Sequence, residues 1–139
     1  MANYYATIRT NYFSVKDENA FRELMQSVCA EDDVHVFEHP QPDGRKKHGF
    51  GCYGNIYGIP YENDLDGGRN RFLNALQNLV CEDDAIIMTE VGNEKLRYVI
   101  GFSIVITSKE IQSISIPDKA LHLAQKLLRN KNYQTQMDY

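Results

Sequence analysis

Residues 76–88 read LQNLVCEDDAIIM, and residues 25–37, fifty-one positions earlier, read MQSVCAEDDVHVF. Each stretch is the apolar end of a helical pattern, then Glu-Asp-Asp, then a short run of strand-forming residues. Acidic groups just past a helix C-terminus oppose the helix dipole, so the spacing predicts two helices that stop before their acids and two strands that start after them. Before the first joint, Phe21, Leu24, Met25 and Val28 recur at helical spacing from about Asp17, with Asp17 and Glu18 in the first turn. Before the second, a helix from about Arg69 to Val80 sets Phe72, Ala75, Leu76 and Leu79 on one face. Phe21 aligns with Phe72, Gln26 with Gln77, and Gly49-Phe50 with Gly101-Phe102 one residue out of step. Each half thus reads helix, acidic joint, hairpin, which suggests an internal αββ duplication with halves at about 17–57 and 69–107.

The remaining elements follow outward from these joints. Tyr5 to Phe13 alternates β-formers and predicts a first strand. Val34 to Phe37 is a strand. HPQPDGRKKHG is a loop built on Pro40, Pro42 and the Asp43-Gly44 turn signal, and Gly49 to Tyr57 is the returning strand. Past the second joint come a strand from Ala85 to Glu90, a turn at Gly92-Asn93, a long strand from Leu96 to Thr107 and another from Ile111 to Ile116. Pro117 suits the first turn of a last helix whose apolar positions are Leu121, Ala124, Leu127 and Leu128, and residues 130–139 read as a polar tail. The order is β-α-β-β-α-β-β-β-α, an α+β class with a mainly antiparallel sheet and helices on one face, in a single domain over residues 1–139.

The bulk composition narrows the functional classes. With 139 residues, 42% hydrophobic and 24% charged, the chain has the make-up of an ordinary globular domain. No apolar run reaches the ~20 residues that span a bilayer, and MANYYATIRTNYF lacks the pattern of a signal peptide. A cytoplasmic protein without a membrane role is expected, and three cysteines with no CxxC fit reduced, mostly buried thiols. The formal net charge is −4; residues 1–108 carry 10 basic and 16 acidic side chains, and residues 109–139 carry 5 and 3. That balance does not favour a nucleic-acid binder.

Several motifs imitate chemistry without completing it. Glu62, Asp64, Asp66 and Gly67 match part of a calcium loop, but Leu73 stands where the bidentate Glu is needed. Gly49, Gly51 and Gly54 spell GxGxxG, yet NIYGIPYEN follows and opens no helix to receive a pyrophosphate. His48 and Cys52 have a metal-like spacing, with His35 and His39 nearby, but no second compact ligand pair. No metal and no cofactor are expected. No nucleophile or metalloprotease signature occurs, so an enzyme would need a site assembled from Glu90, Glu94, Arg97 and the tyrosines.

Two charged sets remain as candidate interaction residues. The acidic set is Glu31, Asp32 and Asp33, Glu82, Asp83 and Asp84, with Glu62, Asp64 and Asp66 between them. The basic set is Arg45, Lys46 and Lys47 at the predicted hairpin tip, with Lys119, Lys126 and Arg129 on the last helix. The chain also resembles a family of small uncharacterised proteins carried by conjugative elements and phages of Gram-positive gut bacteria. The resemblance rests on RTNYFSVKDENAFRELM, HGFGCYG, GNEKLRYVIGFSIVITSKEIQSISI and the terminal NYQTQMDY. It carries over no catalytic residue; what it implies is a genomic setting, in which cargo genes of mobile elements often encode small inhibitors of host defence, including anti-CRISPR and antirestriction proteins. The expectation is a non-enzymatic module that docks an acidic surface on a host protein or protein–nucleic-acid complex. The alternatives are a nucleic-acid-binding accessory protein that uses the basic set, and a small enzyme with an assembled site.

Overall fold

A computed structural model describes residues 4–60 and 67–136. In chain order the elements are β1 (Tyr5–Thr10), α1 (Glu18–Ser27), β2 (Cys29–Ala30), β3 (Val34–Pro40), β4 (Lys46–Tyr53), β5 (Ile56–Gly58), α2 (Gly68–Leu79), β6 (Ile86–Glu94), β7 (Tyr98–Ile106), β8 (Ile111–Ser115) and α3 (Ile116–Leu128). The expected order holds, with two short strands added. β2 and β5 pair apart from the main sheet, which runs β3-β4-β1-β6-β7-β8 with every neighbour antiparallel.

Alternation decides which face is covered. Ala6, Ile8 and Thr10 on β1 and Ile86, Met88 and Glu90 on β6 are buried, while their odd- or even-numbered neighbours are not. α1 and α2 close this inner face. Asp17 caps α1 by accepting the Ala20 N–H, and Phe21, Leu24 and Met25 are its buried stripe. Phe72, Leu73 and Leu76 are that of α2. Four phenylalanines link the layers edge to face, with centroids 5.7 Å apart for Phe13–Phe21, 6.3 Å for Phe13–Phe50 and 5.7 Å for Phe50–Phe72.

Three expectations need correction. The first concerns the turn at Gly92-Asn93, which lies inside β6, paired with Ala6 and Tyr5. The chain reverses later, at Lys95, whose φ is 51°, with the Arg97 N–H donating to the Glu94 carbonyl. Gly92 is glycine because a Cβ there would strike the Tyr4 ring. The second concerns α3. It does not join the other helices, because β8 turns into it directly at the Ser115 N-cap while Ile114 and Ile116 point to the outer face. Ile116 stands over Gly101, the residue on β7 with no Cβ to obstruct it. The third concerns the thiols. Cys52 is buried and Cys81 half-buried, but Cys29 is exposed.

The two αββ halves keep the same order of elements but not the same placement. β3 and β6 run in opposite directions. A rotation carrying β3-β4 onto β6-β7 without reversing their order therefore turns the sheet over, yet α1 and α2 pack into one core. The repetition is one of local order.

Candidate functional site

The first acidic joint grows out of the end of α1. Glu31 is held in place: its backbone N–H donates to the Asn55 carbonyl at 2.8 Å, and its Oε2 accepts the Asn55 N–H at 3.0 Å. Gly54, at φ +127°, makes room for it, since a Cβ there would stand 3.0 Å from that of Glu31. Asp32 accepts the Asp33 N–H at 2.7 Å, and both side chains are exposed. The Asp32 carbonyl also faces Cys52 Sγ at 3.5 Å. Burial pushes that thiol up.

The second joint is built differently. Asp84 Oδ2 accepts the Ser14 N–H at 2.8 Å and Oδ1 accepts the Ala85 N–H at 2.8 Å, so this carboxylate fastens the segment after β1 to the start of β6. Glu82 and Asp83 are exposed. Asp32, Asp33, Glu82 and Asp83 form no ion pair with a described residue. Glu62, Asp64 and Asp66 lie outside the described residues.

Register sets the distance between the joints. Val34, just after the first, stands level with Cys52, Ile8 and Glu90. Ile86, just after the second, lies four residues along β6 from that level, and β3 and β6 run oppositely. The joints therefore leave the sheet at opposite ends, three strand places and roughly 20 Å of strand length apart. They form two acidic sites.

The basic set is also divided. Gly44, at φ 85°, turns the β3–β4 hairpin, with the Arg45 N–H donating to Asp43 Oδ1 at 3.0 Å. Each cation here has a carboxylate beside it: Arg45–Asp43 at 3.9 Å, Lys46–Glu38 at 3.4 Å and Lys47–Asp84 at 3.7 Å. Lys46, with Arg22 behind it, holds the Glu38 carboxyl below the usual range. Lys119, Lys126 and Arg129 are exposed on or just past α3, which packs on β7 and β8 at the far edge of the sheet from this tip.

Beneath α2 lies a polar cluster that sequence reading found only in part. Glu90 is 5% exposed, accepts Arg69 Nη2 at 3.1 Å through Oε1 and accepts the Tyr4 hydroxyl at 2.9 Å through Oε2. Burial first, then the hydrogen bond to Glu90 and its charge, pushes the Tyr4 hydroxyl up to about 12. Of the assembled-site candidates, Glu90 and one tyrosine, Tyr4, sit here, while Glu94 and Arg97 flank the β6–β7 reversal. Glu90 shares the parity of Ile86 and Met88, and the tyrosines were candidates only as a group; nothing in the spacing singled out Tyr4 or pointed to Arg69.

His48, 1% exposed, lies against the Phe21 ring at 5.2 Å and 3.3 Å from Glu18 Oε1, which makes it part of the α1–β4 packing. The Gly49–Gly54 run forms most of β4 and leads into β5, and α2 begins only at Gly68. Among the described residues no three His, Cys, Asp or Glu side chains gather in a way that could hold a metal ion. No helix among them is long and apolar enough to cross a membrane. Comparison with protein-family models, with curated proteins and with solved structures finds no match.

Proposed function

We propose that the chain is a non-enzymatic protein-binding module that docks through its acidic joints on a basic surface of a partner. The observation that carries this reading is the contrast in charge compensation. The hairpin cations each sit beside a carboxylate, Lys47 beside Asp84 of the second joint itself, whereas Asp32, Asp33, Glu82 and Asp83 are exposed and form no ion pair with a described residue. Unpaired surface charge draws a partner of opposite sign and raises the encounter rate. In the mobile-element setting that the family resemblance implies, the partner class to test first is a host defence nuclease complex, whose nucleic-acid channel is basic. The protein then acts as an inhibitor of the anti-CRISPR or antirestriction type.

The test is a nuclease-treated pull-down from a Gram-positive host lysate with three proteins: wild type, an acid-neutralised variant (D32N, D33N, E82Q, D83N) and a tip variant (R45A, K46A, K47A). Capture of one nuclease-resistant complex by the wild type and the tip variant, lost in the acid-neutralised variant, is the expected result. Recovery only of nucleic acid, lost with the tip variant, reassigns the protein to the basic set.

A further inference from the structure

β3 ends the main sheet on one side, and the register shows which of its backbone groups are left over. His48 exchanges both backbone hydrogen bonds with Phe13, each at 2.8 Å, so its N–H and C=O point away from β3. The Glu38–His48 pair is therefore a non-hydrogen-bonded one, and Glu38 turns its own N–H and C=O to the open edge. Alternation puts Val36 and Val34 in the same position, while His35, Phe37 and His39 bond to β4. The Gln41 N–H, which donates to the Arg45 carbonyl at 2.8 Å, agrees with this parity. Pro40 also falls on the open side, where its missing N–H costs no ladder bond.

An edge of this kind is a template for another strand unless something blunts it. β3 runs seven residues against β4 with no break in register and carries neither Lys nor Arg. β8, at the other end of the sheet, has five residues and α3 packed against it. β3 is the more open template.

The surroundings of β3 say what it accepts. Val34, Val36 and Glu38 lie opposite Cys52, Phe50 and His48 and share their face, the buried one. Arg22, Met25 and Gln26, on one side of α1, face them across a groove of about 560 Å³. Val36 is 45% exposed in it. Every second side chain of an added strand enters this groove, and an apolar, β-branched one pairs best with Val34 and Val36. Charge distinguishes the two ends. Glu38 has Arg22 at 3.4 Å and Lys46 at 3.4 Å, two cations on one carboxylate. At the start of β3, Asp32 and Asp33 are exposed and form no ion pair with a described residue. A cation on the added strand is drawn to the aspartates and repelled from the other end.

We propose that β3 receives a seventh, antiparallel strand from the partner. It is an extended segment with apolar side chains at alternate positions and Lys or Arg at its C-terminal end, beside Asp33 and Asp32. Antiparallel pairing is the form of every other pair in the sheet and the more stable per residue. Main-chain hydrogen bonds give such a contact its affinity, and the groove with its acidic end selects the sequence. As the way in which the first acidic joint docks, strand addition rests on the docking reading.

Fluorescence anisotropy of the full chain with two labelled peptides blocked at both ends, TVTVTVKK and KKTVTVTV, tests it. TVTVTVKK is expected to bind saturably, its valines opposite Glu38, Val36 and Val34 and its lysines beside Asp33 and Asp32. Binding is expected to be lost with KKTVTVTV and in the D32N/D33N variant. It is also lost in Val36→Pro, which removes an outward N–H that the fold does not use. N-methylation of the valine amides of the peptide abolishes binding, and N-methylation of the threonine amides, which face away from β3, leaves it. No binding of TVTVTVKK overturns the proposal, and so does binding that survives methylation of the valine amides. In the pull-down, capture kept by Val36→Pro but lost by the acid-neutralised variant leaves docking in place and overturns strand addition. The expected peptide pattern with no complex captured upholds the strand site and overturns docking on a defence complex. A wild-type dimer in sedimentation equilibrium that Val36→Pro makes monomeric gives the edge to a second copy and overturns the proposal.

Discussion

Tyr4 donates its hydroxyl hydrogen to Glu90 in a setting where ionising the phenol would place two negative charges together. Its value in the folded protein, about 12, lies above the ordinary 10.0. The folded state therefore holds this proton more tightly than the unfolded chain does. The stabilisation is complete below pH 10 and is lost as pH rises from there through 12. Urea midpoints of the wild type are expected to fall more steeply over that window than those of Tyr4→Phe, and parallel curves would refute the assignment. The thiols differ in an equally local way. Burial raises both Cys52 and Cys81 and keeps the reactive thiolate form rare, while Cys29 is open to solvent. Titration with a disulfide reagent is expected to show one fast thiol, abolished by Cys29→Ser, and two that react at the same rate only after denaturation.

The four-phenylalanine chain makes Phe72 the link between α2 and β4. Phe72→Ala is expected to cost about 3–5 kcal/mol by urea denaturation, since the ring is fully buried. Tyr53→Ala on the open face should stay within about 0.5 kcal/mol. These elements were legible in the sequence because alternation and helical spacing report burial directly. The helices start within a residue of Asp17 and Arg69, and the Asp43-Gly44 turn closes the hairpin it predicts. What was not legible depends on a partner distant in sequence. Gly92 reads as a turn residue until Tyr4 is known to occupy the space of its side chain. The apolar stripe of α3 says that the helix packs, not on which face of a sheet; the parity of Ile114 and Ile116 decides that.

For the whole molecule, strand direction converts two identical tripeptides into two separate charged ends. That is why the joints read as one surface in the sequence and lie apart in the fold. Binding that uses either end is expected to weaken as salt rises toward and beyond 0.15 M, where screening acts within about 8 Å. A competition assay against sodium chloride with the captured complex reads this directly, and a salt-insensitive affinity would argue against acidic docking. The central position of β1 has a different consequence. Its partners lie far along the chain: Ile8 pairs with Cys52 on one side and with Glu90 on the other. Until β1 is inserted, β3-β4 and β6-β7-β8 are two unconnected ribbons, each with an open edge. During synthesis the strand that emerges early must wait through more than half the chain for its second neighbour, so the closing step of folding is slow and long-range.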